Sequence, residues 1–186
     1  MESRSEFARL AAAVTLALVL SVNLRGGAEA EDQLKSAALL AFVQNARWAE
    51  QFAANTPLTV GVVGRPAFLR WLHSSMEGKL VNGHPIRVLE IAGPIDPQCC
   101  QVLYFATEKS ADIKNGLQLI GSAHALTIGE TDGFLAEGGA VNLFLLDGHM
   151  AFEVSLGALA RSGVEISSKL LRFGQIRDLP KPRLAP

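Results

Sequence analysis

Apolar residues along this chain alternate between the spacing of one helix face and short continuous runs, a pattern typical of α/β proteins. Residues 33–49, QLKSAALLAFVQNARWA, repeat apolar side chains at close to helical spacing. Residues 57–64, PLTVGVVG, form a continuous apolar run bounded by Pro and Gly, which predicts a strand buried on both faces. Residues 65–75 then predict a helix, because Pro66 falls where the first turn tolerates proline.

The middle of the chain continues this alternation. Further strands are predicted at HPIRVLEI (84–91), CQVLYFA (100–106) and HALTIGE (124–130). A helix is predicted over residues 110–120, with Ser110 as its cap and an aspartate in the first turn. Strands that alternate with helices predict an α/β fold with a mainly parallel sheet and helices on both of its faces.

The last third predicts a different connection. Residues 138–155, GGAVNLFLLDGHMAFEVS, contain two strand-like runs joined at Asp147-Gly148, the dipeptide of a tight antiparallel hairpin. Ser155 is expected to cap a helix that ends at Gly163, and residues 167–176 predict a final short helix. The proline-rich residues 179–186, LPKPRLAP, predict a flexible tail.

The N-terminus predicts export. Residues 10–20, LAAAVTLALVL, are uncharged and apolar, and Ala28-Glu29-Ala30 is a small-x-small cleavage pattern. We therefore expect residues 1–30 to be a signal peptide cleaved after Ala30. An uncleaved anchor is the less favoured alternative, because the apolar run is shorter than the roughly 20 residues that span a bilayer.

Charge says little about partners, since the whole chain has a formal net charge of −1. Its C-terminal part is more basic: from Arg161 onward there are six basic residues but only two acidic ones, Glu165 and Asp178. This segment is too sparse in charge and too poor in aromatic residues to indicate nucleic-acid binding. A solvated face and an acidic protein partner are the two remaining interpretations.

The two cysteines, Cys99 and Cys100, are adjacent. Neighbouring Cα atoms lie about 3.8 Å apart across a trans peptide, closer than the roughly 4.4–6.8 Å that a relaxed disulfide prefers. If the pair opens a strand, the two side chains point to opposite faces. Three interpretations stay open: a small buried apolar residue beside a chance neighbour, a disulfide between two subunits, and redox or metal chemistry.

Catalytic motifs are weak throughout the sequence. The turn GVVGRPAF lacks the further glycines and the Lys-Ser/Thr of nucleotide-binding loops. No Gly-x-Ser-x-Gly segment is present to carry a serine nucleophile. The histidines lack the spacing of metal ligands; they are His73, His84, His124 and His149. We therefore expect a protein that is not an enzyme and that uses no cofactor or metal.

Several of these segments together resemble the YfiR family of exported proteins. The matching segments occur in the family's order and spacing from about residue 33 to residue 177: KSAALLAFVQNARWAE, LTVGVVG, EGKLVNGHPIRV, CQVLYFA, HALTIGETDGFLAEGGAVNLFL and FEVSLGALARSGVEISSKLLR. The resemblance implies a YfiR-like α/β domain over residues 31–178, located in the periplasm and typically a homodimer. Its best-known member represses a membrane-bound diguanylate cyclase, and so acts in cyclic-di-GMP signalling and biofilm regulation.

The function that this resemblance implies is regulation through binding. The partner would be the periplasmic domain of an inner-membrane signalling protein, with a diguanylate cyclase as the leading candidate. An accessory sensor for a membrane histidine kinase and a periplasmic small-molecule-binding protein are the alternatives. The resemblance also implies a disulfide that this chain has lost: family members commonly pair a first-strand cysteine with the one that opens CQVLYFA, whereas this chain has Gly61 there.

Charged residues among apolar neighbours mark the segment 152–176 as the candidate binding surface. Alternation in MAFEVS places Glu153 on the face opposite Phe152, and Lys169 and Arg172 share one face of the last predicted helix. An exposed ion pair is one interpretation of these charges. A partner-binding patch of Glu153, Lys169 and Arg172, edged by Leu170 and Phe173, is the other.

Overall fold

A computed structural model describes residues 27–48, 53, 56–96, 98–121 and 124–177. Residues 1–26 of the predicted signal peptide and the predicted tail at 179–186 lie outside the described residues. The chain divides into two compact units, Met1–Leu34 and Lys35–Pro186. Among the described helices, none is both long enough and apolar enough to cross a membrane.

The described helices and strands alternate along most of the chain. The helices are α1 (residues 27–45), α2 (Pro66–Met76), α3 (Ser110–Ile120), α4 (Leu156–Ser162) and α5 (Ser168–Leu171). The strands are β1 (Ala46–Trp48), β2 (Leu58–Gly64), β3 (Leu80–Val81), β4 (His84–Ile91), β5 (Val102–Ala106), β6 (Leu126–Gly129), β7 (Val141–Leu146), β8 (His149–Val154), β9 (Val164–Ile166) and β10 (Gln175–Ile176).

The main sheet has the order β10-β8-β7-β6-β5-β2-β4-β3 among the described strands. Strand β2 pairs in parallel with both β4 and β5, and the parallel run continues through β6 to β7. The β2, β5 and β6 strands are buried along most of their length, as the continuous apolar runs predict. The predicted α/β fold with a mainly parallel sheet is confirmed.

Two hydrophobic clusters cover the sheet. The larger one joins the sheet to α1, α2 and α4 through residues such as Phe42, Phe68 and Leu159. The smaller one contains Ile113 of α3 and Phe134 of the loop between β6 and β7. Helices on both faces are therefore also confirmed.

The hairpin of β7 and β8 turns where the dipeptide predicts it. The two strands pair antiparallel from Val141 with Val154 to Leu146 with His149. Asp147 and Gly148 both have positive φ, 50° and 76°, as a type I′ turn requires at both central positions. The hairpin extends the parallel sheet and carries Glu153 in its second strand.

Two short strands replace parts of predicted helices. Residues 33–49 were expected to be one helix, but α1 ends at residue 45 and Ala46–Trp48 pairs antiparallel with β9. Residues 167–176 were expected to be helical, but α5 ends at Leu171 and Gln175–Ile176 pairs with β8. Each of these strands has only two or three residues, so its pairing partner decides its conformation more than its own pattern does.

Candidate partner-binding surface

The candidate surface is built on α5 and on the segment that follows it. Ser167 caps α5, because its hydroxyl oxygen accepts a hydrogen bond from the Lys169 N–H at 3.3 Å. Leu170 and Leu171 are half-buried and pack against the larger core cluster. This one-turn helix is therefore attached to the core on one side, while Lys169 is exposed on the other.

Phe173 is the most exposed large apolar side chain among the described residues, at 72%. The guanidinium of Arg172 lies over its ring, 4.9 Å from the ring centroid. That distance falls within the range of a cation–π contact. An aromatic ring and a cation are thus presented together to solvent.

Gly174 holds this segment against the hairpin. A Cβ atom at Gly174 would overlap the Phe152 ring, so only glycine allows the backbone to approach so closely. Phe152 itself is buried and packs edge-on against Phe42, with ring centroids 4.9 Å apart. The position of Phe173 is therefore fixed by the next residue, Gly174, whose backbone packs against the buried Phe152 ring.

Glu153 takes its described partners from other elements than α5. Its Oε2 accepts a hydrogen bond from Nε of Arg177 at 3.1 Å, and its Oε1 lies 3.4 Å from Nδ2 of Asn142. The N–H of Arg177 also donates to the carbonyl of Val154 at 2.8 Å. These bonds attach the end of β10 to β8. Glu153 therefore has a structural role in holding β10 in place.

Asn142 is buried, at 2% exposure, and its Oδ1 has no described hydrogen-bond partner. A buried carbonyl oxygen without a partner costs about 1–3 kcal/mol. Its amide N–H group nevertheless points to Glu153, because the carboxylate accepts a hydrogen bond from it. Asn142 and Arg177 together therefore fix the orientation of the Glu153 carboxylate.

The structure thus separates the predicted site residues into two groups. Lys169, Leu170, Arg172 and Phe173 lie together in one short segment, which we call the α5 surface. Glu153 is 21% exposed at its side chain and pairs with Arg177, a residue that the sequence-based prediction omitted. Gly174 was the sequence signal for this difference, since a glycine inside a helical pattern can mark the end of a helix. The residues after it, up to Arg177, could then have been considered as a separate segment.

The α5 surface carries a positive charge. Lys169 and Arg172 are both exposed, whereas the positive charge of Arg177 is balanced by Glu153. Ile176, 52% exposed, extends the apolar area beyond Phe173. Such an arrangement can bind a partner that offers acidic groups around an apolar pocket.

The cysteines lie in a turn before β5 rather than in the strand. The condition for side chains on opposite faces, that the pair opens a strand, is therefore not met, and the two sulfur atoms face each other at 2.6 Å. Cys100 is buried at 3% exposure and Cys99 is half-buried; both are free thiols. A Cβ atom at position 61 would lie 2.6 Å from the sulfur of Cys100, which places Gly61 directly against it.

A buried polar cluster lies where the parallel strands end. Oε2 of Glu130 is 2.9 Å from Nζ of Lys35 and accepts a hydrogen bond from the Tyr104 hydroxyl at 2.6 Å. The guanidinium of Arg65 lies 3.7 Å from the other carboxylate oxygen. This cluster attaches α1 to the sheet, and it is a feature that sequence reasoning missed.

An open cavity of about 680 Å³ lies beside the ends of β2 and β4. Its walls include Gly64, Ile91, Ile95, Asp112 and Leu119. Ligands of parallel α/β proteins commonly bind outside the carboxyl ends of the strands. Within the described residues, no group of His, Cys, Asp or Glu side chains is arranged to hold a metal ion.

Comparison with known proteins adds two findings. Residues 32–175 match the family model described as YfiR/HmsC-like. A crystal structure of a conserved domain protein from Vibrio cholerae O1 biovar El Tor strain N16961 is similar in fold, with a TM-score of 0.50 and 11% sequence identity. The similarity covers 77% of this chain and 59% of that protein, and at this identity it shows the fold alone. No curated protein matches the chain.

Proposed function

The chain belongs to the YfiR/HmsC-like family, and from that premise we propose that it is an exported regulatory protein of the periplasm. It acts by binding the periplasmic domain of an inner-membrane signalling protein, with a diguanylate cyclase as the leading candidate, and represses or tunes its output. It works as a homodimer and performs no catalysis of its own. The observation that carries this proposal is the α5 surface.

Three features of the α5 surface support a role in binding. Phe173 is exposed on a segment that Leu170 and Gly174 hold in place, so its ring is presented with little freedom to lose on binding. Aromatic and arginine residues are the commonest anchors of protein interfaces. The adjacent Lys169 and Arg172 favour a partner surface that is acidic.

Repression of this kind requires only occupancy. A bound protein shifts the equilibrium of a membrane receptor between two states by its differential affinity for one of them. A change of about 1.4 kcal/mol in that differential affinity alters the ratio of the two states tenfold. The α5 surface needs no reactive group for this purpose.

The test compares Arg172→Glu with the matched control Arg70→Glu, which reverses an exposed arginine on α2. The bait is the purified periplasmic domain of a candidate inner-membrane signalling protein from the same organism. We expect Arg172→Glu to lose pull-down with the bait and to raise cellular cyclic-di-GMP, while Arg70→Glu behaves as wild type.

Two results would count against the proposal. If Arg172→Glu folds and still binds and represses normally, the α5 surface is a solvated face. If the variant loses binding but the partner is a histidine kinase and cyclic-di-GMP does not change, the surface is correct and the output belongs to the accessory-sensor alternative.

The cavity near β2 and β4 favours a second candidate function, the binding of a small molecule. Its volume of about 680 Å³ lies within the roughly 300–1,000 Å³ of known ligand sites. Asp112 is the only charged residue among its described lining residues, which favours a neutral or cationic ligand. A screen of such compounds by thermal shift, repeated with Leu119→Arg to fill the cavity, tests this candidate.

A further inference from the structure

We propose that Cys99 and Cys100 form a reversible disulfide with each other, within one chain, rather than a link between two subunits. This modification site is separate from the α5 surface. It does not depend on the regulatory function proposed above. Its basis is the placement of the two sulfur atoms.

The turn before β5 directs both thiols to the same place. The N–H of Cys99 donates to the carbonyl of Asp96 at 3.0 Å, and the N–H of Gln98 donates to the Asp96 carboxylate at 3.0 Å. On the other side, Gln101 exchanges hydrogen bonds with the backbone of Thr59 at 3.1 and 2.8 Å. The backbone is thus held on both sides of the pair, with the sulfur atoms 2.6 Å apart.

Burial decides which bonds each thiol can make. Cys100 packs against Gly61 and is 3% exposed, so its sulfur cannot reach a second protein. Cys99 is half-buried and is the thiol that meets solutes. Once Cys99 reacts, the neighbouring thiol competes at an effective concentration of about millimolar or more, well above a micromolar second subunit.

The oxidant is a low-molecular-weight disulfide such as oxidised glutathione. The Cys99 thiolate attacks one of its sulfur atoms and expels a glutathione thiolate, which leaves a mixed disulfide on Cys99. Cys100 then loses its proton to water, attacks the Cys99 sulfur and expels the second glutathione thiolate. The two protein thiols are oxidised to one disulfide, and the oxidant is reduced to two thiols that take up the two protons.

The second step is the slow one. Burial raises the pKa of the Cys100 thiol well above its ordinary value, and this cause persists after Cys99 has formed the mixed disulfide. The thiolate is the nucleophile, so a raised pKa leaves little of it at neutral pH. The rate of ring closure should therefore rise with pH across the whole range in which the protein stays folded.

The bond should be easy to reduce. Adjacent Cα atoms lie closer than a relaxed disulfide prefers, so the ring stores strain. Strained disulfides have more oxidising potentials and are the labile ones. The pair is thus suited to reversible oxidation rather than to permanent stabilisation.

One tryptic peptide reports the result. Cleavage after Arg87 and Lys109 yields a peptide that holds both cysteines. After treatment of the folded protein with oxidised glutathione and alkylation without reductant, we expect this peptide to be lighter than its reduced form by two hydrogen atoms and to carry no alkyl group. Dithiothreitol should restore two alkylatable thiols.

Cys100→Ser is the matched control. It leaves Cys99 alone, so we expect oxidation to stop at a glutathione adduct or at a linked dimer. A wild-type protein that instead yields two cross-linked copies of the peptide, keeps the adduct on Cys99, or keeps both thiols free would overturn the proposal.

Discussion

At the scale of single residues, Phe173 takes its exposed position from its neighbours in the chain. Leu170 and Leu171 fix the preceding helix to the core, and Gly174 allows the following backbone to touch the Phe152 ring. Arg172 covers part of the Phe173 ring. The presentation of one aromatic side chain therefore depends on a glycine that makes no contact with any partner.

Gly174→Ala should destabilise the fold by about 1–3 kcal/mol, because its added methyl group overlaps the buried Phe152 ring. Gly157→Ala is the control: in α4 the new Cβ would have only the Arg161 guanidinium nearby, at 3.5 Å. The helix should gain about 0.5–1 kcal/mol there. Urea denaturation of both variants measures the difference, and equal stabilities would show that the segment can move away from Phe152.

At the scale of elements, helix α1 is attached to the sheet by a buried ion pair. Lys35 and Glu130 are both about nine-tenths buried, and the Tyr104 hydroxyl binds the same carboxylate oxygen as Lys35. Burying an ion pair costs desolvation, so the pair adds little net stability over an apolar replacement. Removing one partner alone is different, because the other charge stays buried.

Glu130→Gln should therefore lower the free energy of unfolding by about 3–5 kcal/mol, since it removes the carboxylate that faces the buried Lys35 ammonium. The double variant Lys35→Met/Glu130→Gln should recover much of that loss. A double-mutant cycle by chemical denaturation measures the coupling. Additive losses in the cycle would mean that the two side chains do not interact in solution.

Some helices and strands could be predicted from the sequence, and others could not. Strand β2, helix α4 and the Asp147-Gly148 hairpin follow from local patterns, because burial on both faces, the Ser155 cap and positive φ each leave a signature in the residues themselves. Strands β1, β9 and β10 leave none, since two or three residues become strands only when a distant segment pairs with them. The predicted Ser110 cap of α3 is wrong: Lys109 occupies the N-cap position without a side-chain cap bond, and Ser110 is already the first helical residue.

The candidate site divides in the same way. The grouping of Lys169 to Phe173 was predictable, since these residues are neighbours in the sequence. The pairing of Glu153 with Arg177 was not, because it depends on β10 lying beside β8. The facing thiols were missed for a related reason: Cys99 and Cys100 lie in a turn, where the alternation of a strand does not apply.

At the scale of the whole molecule, the surfaces are placed on different parts of the fold. The α5 surface lies at the hairpin side of the sheet, next to the edge strand β10, whereas the thiol pair and the cavity belong to the side of β2, β4 and α3. A protein with this arrangement can bind a receptor on one part of the fold while a redox change or a ligand acts on another.

Whether the α5 surface binds the periplasmic domain of a membrane signalling protein can be measured as the affinity of that domain for the Phe173→Ala variant. Titration calorimetry with the purified domain should show Phe173→Ala binding at least about 30-fold more weakly than wild type, the loss of roughly 2 kcal/mol typical of an interface anchor. Leu80→Ala, which truncates a comparably exposed apolar residue on β3, should bind as wild type, and both variants should keep the wild-type melting temperature. Equal affinities for wild type and a folded Phe173→Ala would show that the α5 surface does not bind this domain.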